Sequence, residues 1–225
     1  MTRTTNARLA GFMFLFYIAT AYPMMVLSNR VTSGSDISAK LGNIAQHVSL
    51  MRVIVVLSPI MFLNAVVLAV ALYGITRDED HELAILAMSC RIGEGVINAI
   101  GTASPLALLW LATGDIPDAA AAKTIAAFIL QYDVWSFSIS AFCFAVGSTI
   151  FAYLFLRARS IPVWLAWLGV VSSALIVVAL PLQMAGVLHA PLTDFMWLPI
   201  AAFEVILGFW LLIKGVNAPA NRPLD

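Results

Sequence analysis

The chain has 225 residues, 62% of them hydrophobic and 11% charged, with 12 basic and 12 acidic residues and no net formal charge. A soluble domain runs nearer ~45–50% apolar and ~25% charged, and one of this size has no core large enough to hide the excess. Balanced charge without a basic patch excludes nucleic acid as a partner, which leaves an integral membrane protein whose first partner is the lipid bilayer.

Six apolar runs are long enough to cross a bilayer, which takes about 20 residues of helix. They are Leu9 to Leu27, Met51 to Ile75, Leu83 to Ala112, Val134 to Leu156, Ile161 to Leu182 and Phe195 to Ile213. The runs are continuous and lack period-two alternation, so they read as helices. The expected fold is all-α, a polytopic transmembrane bundle of six spans within residues 1–216, followed by a flexible tail at 217–225.

At the start, Arg3 and Arg8 precede an apolar stretch, and Ala19-Thr20-Ala21 resembles a cleavage site for a signal peptide. The apolar run continues past it to Leu27, so it is read as a retained first span. Between the first two spans, Ile37, Leu41, Ile44, Ala45 and Val48 recur at helical spacing, which predicts a short amphipathic helix on the membrane surface. Before the fourth span, Asp118 is placed to cap a helix that runs on into it.

An even number of spans puts both termini on one side. With the termini inside, the inner segments hold seven basic residues (Arg3, Arg8, Arg77, Arg157, Arg159, Lys214 and Arg222) and the outer segments four (Arg30, Lys40, Arg52 and Lys123). The positive-inside rule therefore favours cytoplasmic termini.

An ordered set of short motifs carries a family resemblance. Ala7-Arg8-Leu9-Ala10-Gly11 opens the first span and Leu72-Tyr73-Gly74-Ile75 closes the second. Arg91-Ile92-Gly93-Glu94 lies in the third. Tyr153-Leu154-Phe155 and Ile161-Pro162-Val163-Trp164-Leu165-Ala166-Trp167-Leu168-Gly169 bracket the turn between the fourth and fifth. Glu204 with Trp210-Leu211-Leu212-Ile213-Lys214-Gly215-Val216 ends the sixth. Over nearly its whole length the chain resembles the bacterial membrane family called domain of unknown function 4386. The resemblance implies a six-helix protein of the bacterial cytoplasmic (inner) membrane and brings no activity with it. It departs in the turn before the fifth span, where Leu-Pro-Arg is common and this chain has Ile161-Pro162-Val163.

Ionisable residues at membrane depth are expensive and so are candidates for function. Arg91 lies eight residues into the third run and Glu94 nearer the midplane. With Asn98, Gly101, Thr102 and Pro105 they fall within about 100° of arc on one helix face. Glu204 is nine residues into the sixth run, and Asn64 is near the middle of the second. Arg91 and Glu94 are spaced to pair along their own helix, but one guanidinium does not neutralise two carboxylates. Two readings of Arg91, Glu94, Asn98, Glu204 and Asn64 stay open: helix-to-helix pairing that is purely structural, or a polar centre that takes a small-molecule ligand or a proton. A second face on the fourth span, Asp133, Ser136, Ser140, Cys143 and Gly147, reads chiefly as close helix packing.

No cofactor is expected. His47, His81 and His189 all lie outside the spans, which argues against paired axial ligands of a haem. His47, His189 and Asp194 match no metal-ligand spacing. Cys90 and Cys143 sit in apolar runs as small buried residues. No Gly-x-Ser-x-Gly elbow, His-Glu-x-x-His or Walker loop is present, so enzyme activity is left open. The leading expectation is a transporter- or sensor-like protein. The alternatives are a non-catalytic accessory subunit, as a homo- or hetero-oligomer, and an enzyme acting on lipid.

Overall fold

The computed structural model describes residues 2–189 and 192–217, with the side chains of 192 and 194 excepted. Its described residues form helices and no strands: α1 (Arg3–Val31), α2 (Ile37–Gln46), α3 (Val48–Thr76), α4 (His81–Gly101), α5 (Ala103–Thr113), α6 (Ala119–Arg157), α7 (Val163–Met184), α8 (Leu192–Phe195) and α9 (Trp197–Ile213). Five segments are long and apolar enough to cross a membrane: α1, α3, α4 with α5, α6 and α7. The sixth apolar helix, α9, has 17 residues, at the short end of the roughly 17–25 that span a bilayer. This is the pattern of an integral membrane protein built as a helical bundle.

Local signals set the helix starts. Asp36, Asp80 and Asp118 each accept hydrogen bonds from backbone N–H groups in the first turn of α2, α4 and α6, at 2.7 to 3.1 Å. These are donors with no partner inside the helix. Asp118 therefore does start a helix that continues into the fourth span, but the helix begins at Ala119 rather than only at Val134. The run Leu83 to Ala112 is not one helix. Pro105 has no N–H to offer the Gly101 carbonyl and its ring crowds that turn, so the helix breaks at Thr102 and resumes as α5.

The long helices close a ring. α1 packs between α3 and α9, α4 between α3 and α6, and α7 between α6 and α9. At the crossing of α1 and α9 a Cβ on Gly11 would stand 2.5 Å from the Leu212 nitrogen and 2.6 Å from the Gly208 carbonyl, so only glycine permits this backbone approach. The ring encloses a core that includes Phe14, Leu68, Leu72, Phe151, Phe155 and Phe203.

One end of the bundle is tied by polar contacts. Arg157 at the end of α6 pairs with Glu79 and Asp80 of the α3–α4 turn, each at 3.0 Å. Arg3 donates to the Ser160 hydroxyl at 3.2 Å, and the Asn217 N–H donates to the Ser160 carbonyl at 2.9 Å. Both described chain ends thus meet at the α6–α7 turn. Of the expected tail at 217–225, Asn217 is anchored here and the rest lies outside the described residues.

At the opposite end α2 forms where the helical spacing of Ile37, Leu41 and Ile44 predicts it. Its Ile44 is buried in a second small core with Val31, Met51, Ile54, Leu108 and Ala126. Its apolar face packs on α5 and α6.

Candidate functional site

The polar centre is built on α4. Arg91 is 1% exposed and Glu94 3%, and their spacing of three along the helix brings Arg91 Nη1 within 2.9 Å of Glu94 Oε2. The approach lies off the N–H direction, so Nε, Nη1 and Nη2 of Arg91 and Oε2 of Glu94 complete no hydrogen bond. The guanidinium carbon sits 4.6 Å from the centre of the Phe144 ring on α6, which offers a cation–π contact. Gly147 makes room for the Arg91 stem: a Cβ there would lie 3.0 Å from Arg91 Cγ and 3.0 Å from the Ala87 carbonyl.

Tyr17 on α1 donates its hydroxyl to Glu94 Oε1 at 3.3 Å, and Ser140 on α6 donates to the Glu94 backbone carbonyl at 3.3 Å. Glu204 on α9 makes no hydrogen bond or ion pair of its own among the described residues. It lies close enough to Arg91, Glu94 and Tyr17 to interact with them through space, and it stays partly accessible. Four helices therefore converge on one guanidinium and two carboxylates.

The remaining expected residues divide. Asn64 is also buried but donates to the Met13 carbonyl of α1 at 3.2 Å, with its Oδ1 unpartnered. It belongs to the α1–α3 contact rather than to the Arg91 cluster. Asn98 lies one turn from Glu94 on the same face of α4, yet it is exposed. Tyr17 was not among the expected site residues. Its signal was available, since it continues the face of Ala7, Ala10 and Phe14 into the middle of an apolar span, but a tyrosine in a span is not read as charged.

The small-residue face of α6 is used inside the bundle. Ser140 and Gly147 meet α4 at Glu94 and Ala87, and the Ser136 hydroxyl lies 3.9 Å from where a Gly101 Cβ would be. Cys90 and Cys143, one on each of these two helices, are both free thiols. Among the described residues no three His, Cys, Asp or Glu side chains gather as metal ligands, and the His47 ring is engaged with the Asn43 carbonyl at 2.9 Å. The side chain of Asp194 lies outside the described residues.

No curated protein and no solved structure matches the chain. A family model described as a domain of unknown function, DUF4386, matches residues 9–215. A match over that share of the sequence decides the family, and the chain belongs to DUF4386.

Proposed function

We propose that this chain is a six-span protein of the bacterial cytoplasmic membrane whose polar centre binds a small molecule or relays protons, as a transporter or a sensor. In this reading residues 1–216 are one transmembrane domain, 217–225 a cytoplasmic tail, and Arg91, Glu94, Asn98 and Glu204 the working groups, with Asn64 bracing α3 against α1. The excess of basic residues at the end where the chain ends meet favours cytoplasmic termini.

The observation that carries the reading is the state of Arg91. It is buried within a bundle that has apolar surfaces, with guanidinium N–H groups that no protein acceptor completes. A second carboxylate, Glu204, faces it from another helix without pairing. A pair kept only to join helices gains most from saturated hydrogen bonding, because an incomplete buried polar group costs ~1–3 kcal/mol, more when charged. Unsaturated donors beside an extra carboxylate suit a site that exchanges a ligand or a proton.

Two measurements test this. Purified protein is screened by thermal unfolding in detergent against a panel of small polar metabolites, where a ligand at 100 times its Kd stabilises by about 2.7 kcal/mol. Protein in liposomes with an entrapped pH dye is assayed for proton flux under an imposed gradient. At least one signal is expected, and Glu204→Gln should remove it. Silence in both assays with well-folded protein overturns the proposal.

A further inference from the structure

Helix lengths break the symmetry of the ring. At ~1.5 Å per residue, α7 with 22 residues and α9 with 17 reach about 33 and 26 Å, whereas α1 and α3 reach about 44 Å and α6, with 39 residues, about 58 Å. All six share the tied end; α4, with 21 residues, is continued by α5, so α7 and α9 are the two that stop well before the α2 end.

Burial follows the same division. On the side of the tied end, Phe14, Leu72, Phe151, Phe155, Phe203 and Leu207 close the ring around a gap no larger than one water. On the other side part of the inward faces loses its cover, although Met24, Leu27, Ile129 and Leu130 pack against the second core. α1 has no buried residue between Phe14 and Val31, and Met25, on the same helical face as Phe14, is 53% exposed. α6 has none between Ala126 and Ser140, and Asp133, in phase with both, is only half-buried. On α4, Asn98 falls in the middle of the arc defined by Ala84, Ala87, Arg91, Glu94 and Gly95, all buried, and is itself exposed. Three helices thus open inward over the stretch about 6–12 Å beyond the Arg91 cluster, at ~1.5 Å per residue.

Between Asp133 and the centre the described charges other than Arg91 are carboxylates. The Arg91 guanidinium is offset by Glu94 and covered by the Phe144 ring. That leaves Asp133, which faces the Ser104 hydroxyl of α5, and Glu204, which acts on Arg91 only through space, as carboxylates without an ion pair among the described residues.

We infer that the α2 end of the bundle opens into a water-accessible vestibule, lined by Asn98, Asp133 and Ser136, that admits small cations to the Arg91–Glu94–Glu204 centre and turns anions away. The inference rests on the membrane reading above and narrows the ligand of the same centre to a small cation. A cleft lined by one sign of charge raises the local counter-ion concentration by about 10–1,000-fold, and Asp133 is the first such group on the way in.

The test is thiol accessibility in intact membrane vesicles. In a background with Cys90→Ala and Cys143→Ala, single Asn98→Cys and Ser136→Cys variants are exposed to a trimethylammonium thiosulfonate and to a sulfonate thiosulfonate of similar size, from each side. Val171→Cys, on the exposed face of α7, is the lipid-facing control. Both vestibule positions should react from the α2 side only, with the cation favoured by about tenfold or more, and Asp133→Asn should shrink that preference to within about twofold of unity. Reaction only with a lipid-soluble maleimide, as for Val171→Cys, overturns the vestibule. Equal rates for the two thiosulfonates overturn the selection of cations. Ser136→Cys changes one atom and reports even where Asn98→Cys does not fold. Labelling needs no bound ligand, so its failure is distinguishable from silence in the ligand and proton assays.

Discussion

Replacing each carboxylate of the centre by its amide separates a structural partner from a group carried at a cost. Glu94→Gln keeps the acceptor for the Tyr17 hydroxyl, now 3.3 Å from Oε1, but removes the charge 2.9 Å from Arg91. Arg91 is 1% exposed, so its charge stays behind with little solvent to compensate. Breaking a buried ion pair from one side costs roughly 3–5 kcal/mol. Some relief comes from Glu204, which still acts on Arg91 through space, so the lower end, about 3 kcal/mol, is expected. At about 2–4 °C per kcal/mol for a chain of this size, the melting temperature should fall by roughly 6–12 °C.

Glu204→Gln breaks no direct contact and relieves one carboxylate from facing another, so its cost should stay below ~1 kcal/mol, with a gain in stability allowed. Groups held for function commonly show that trade. The assay is thermal unfolding in detergent followed by tryptophan fluorescence, with Arg91→Met alone and combined with Glu94→Gln to close a double-mutant cycle. If Glu204→Gln is as damaging as Glu94→Gln, Glu204 is a structural partner of Arg91 and the argument for an uncommitted carboxylate fails.

Three further outcomes follow from the packing. Tyr17→Phe removes a long hydrogen bond to a carboxylate and should cost about 1–2 kcal/mol; an unchanged melting temperature would show that the hydroxyl contributes nothing to holding Glu94. Gly11→Ala places a Cβ against the backbone of α9 and should destabilise by about 1–3 kcal/mol through overpacking, read as a lower melting temperature, while Gly42→Ala, which meets nothing, should stay within about 0.5 kcal/mol of wild type. Asp118→Ala removes the cap bonds to Ala120 and Ala121 and should cost about 1 kcal/mol; hydrogen exchange should rise in the first turn of α6, and protection left intact there would contradict the capping role.

The amino-acid sequence by itself determined the parts of this protein that depend on neighbours along the chain. Continuous apolar runs specify helices because lipid leaves backbone groups no other partner. Asp118 announces its helix because the cap bond is closed within three residues. Arg91 and Glu94 pair because the helical repeat sets them on one face, whatever else surrounds them. Pro105 was visible as a perturbation, although the break it causes at Thr102 was not resolved from a single apolar run.

What only the tertiary structure decided are the relations across helices. Asn64 was expected beside Arg91 and instead braces α1, because the ring order places α1 next to α3. Tyr17 reaches Glu94 across the ring, because α1 and α4 both pack on α3. The opposite fates of Asn98 and Glu94, one turn apart on one face, come from what packs at each level: Tyr17 of α1 and Ser140 of α6 close over Glu94, whereas Asn98 is left exposed. Helical periodicity assigns a residue to a face, but whether that face meets a neighbouring helix or open space depends on how the other helices pack at that level.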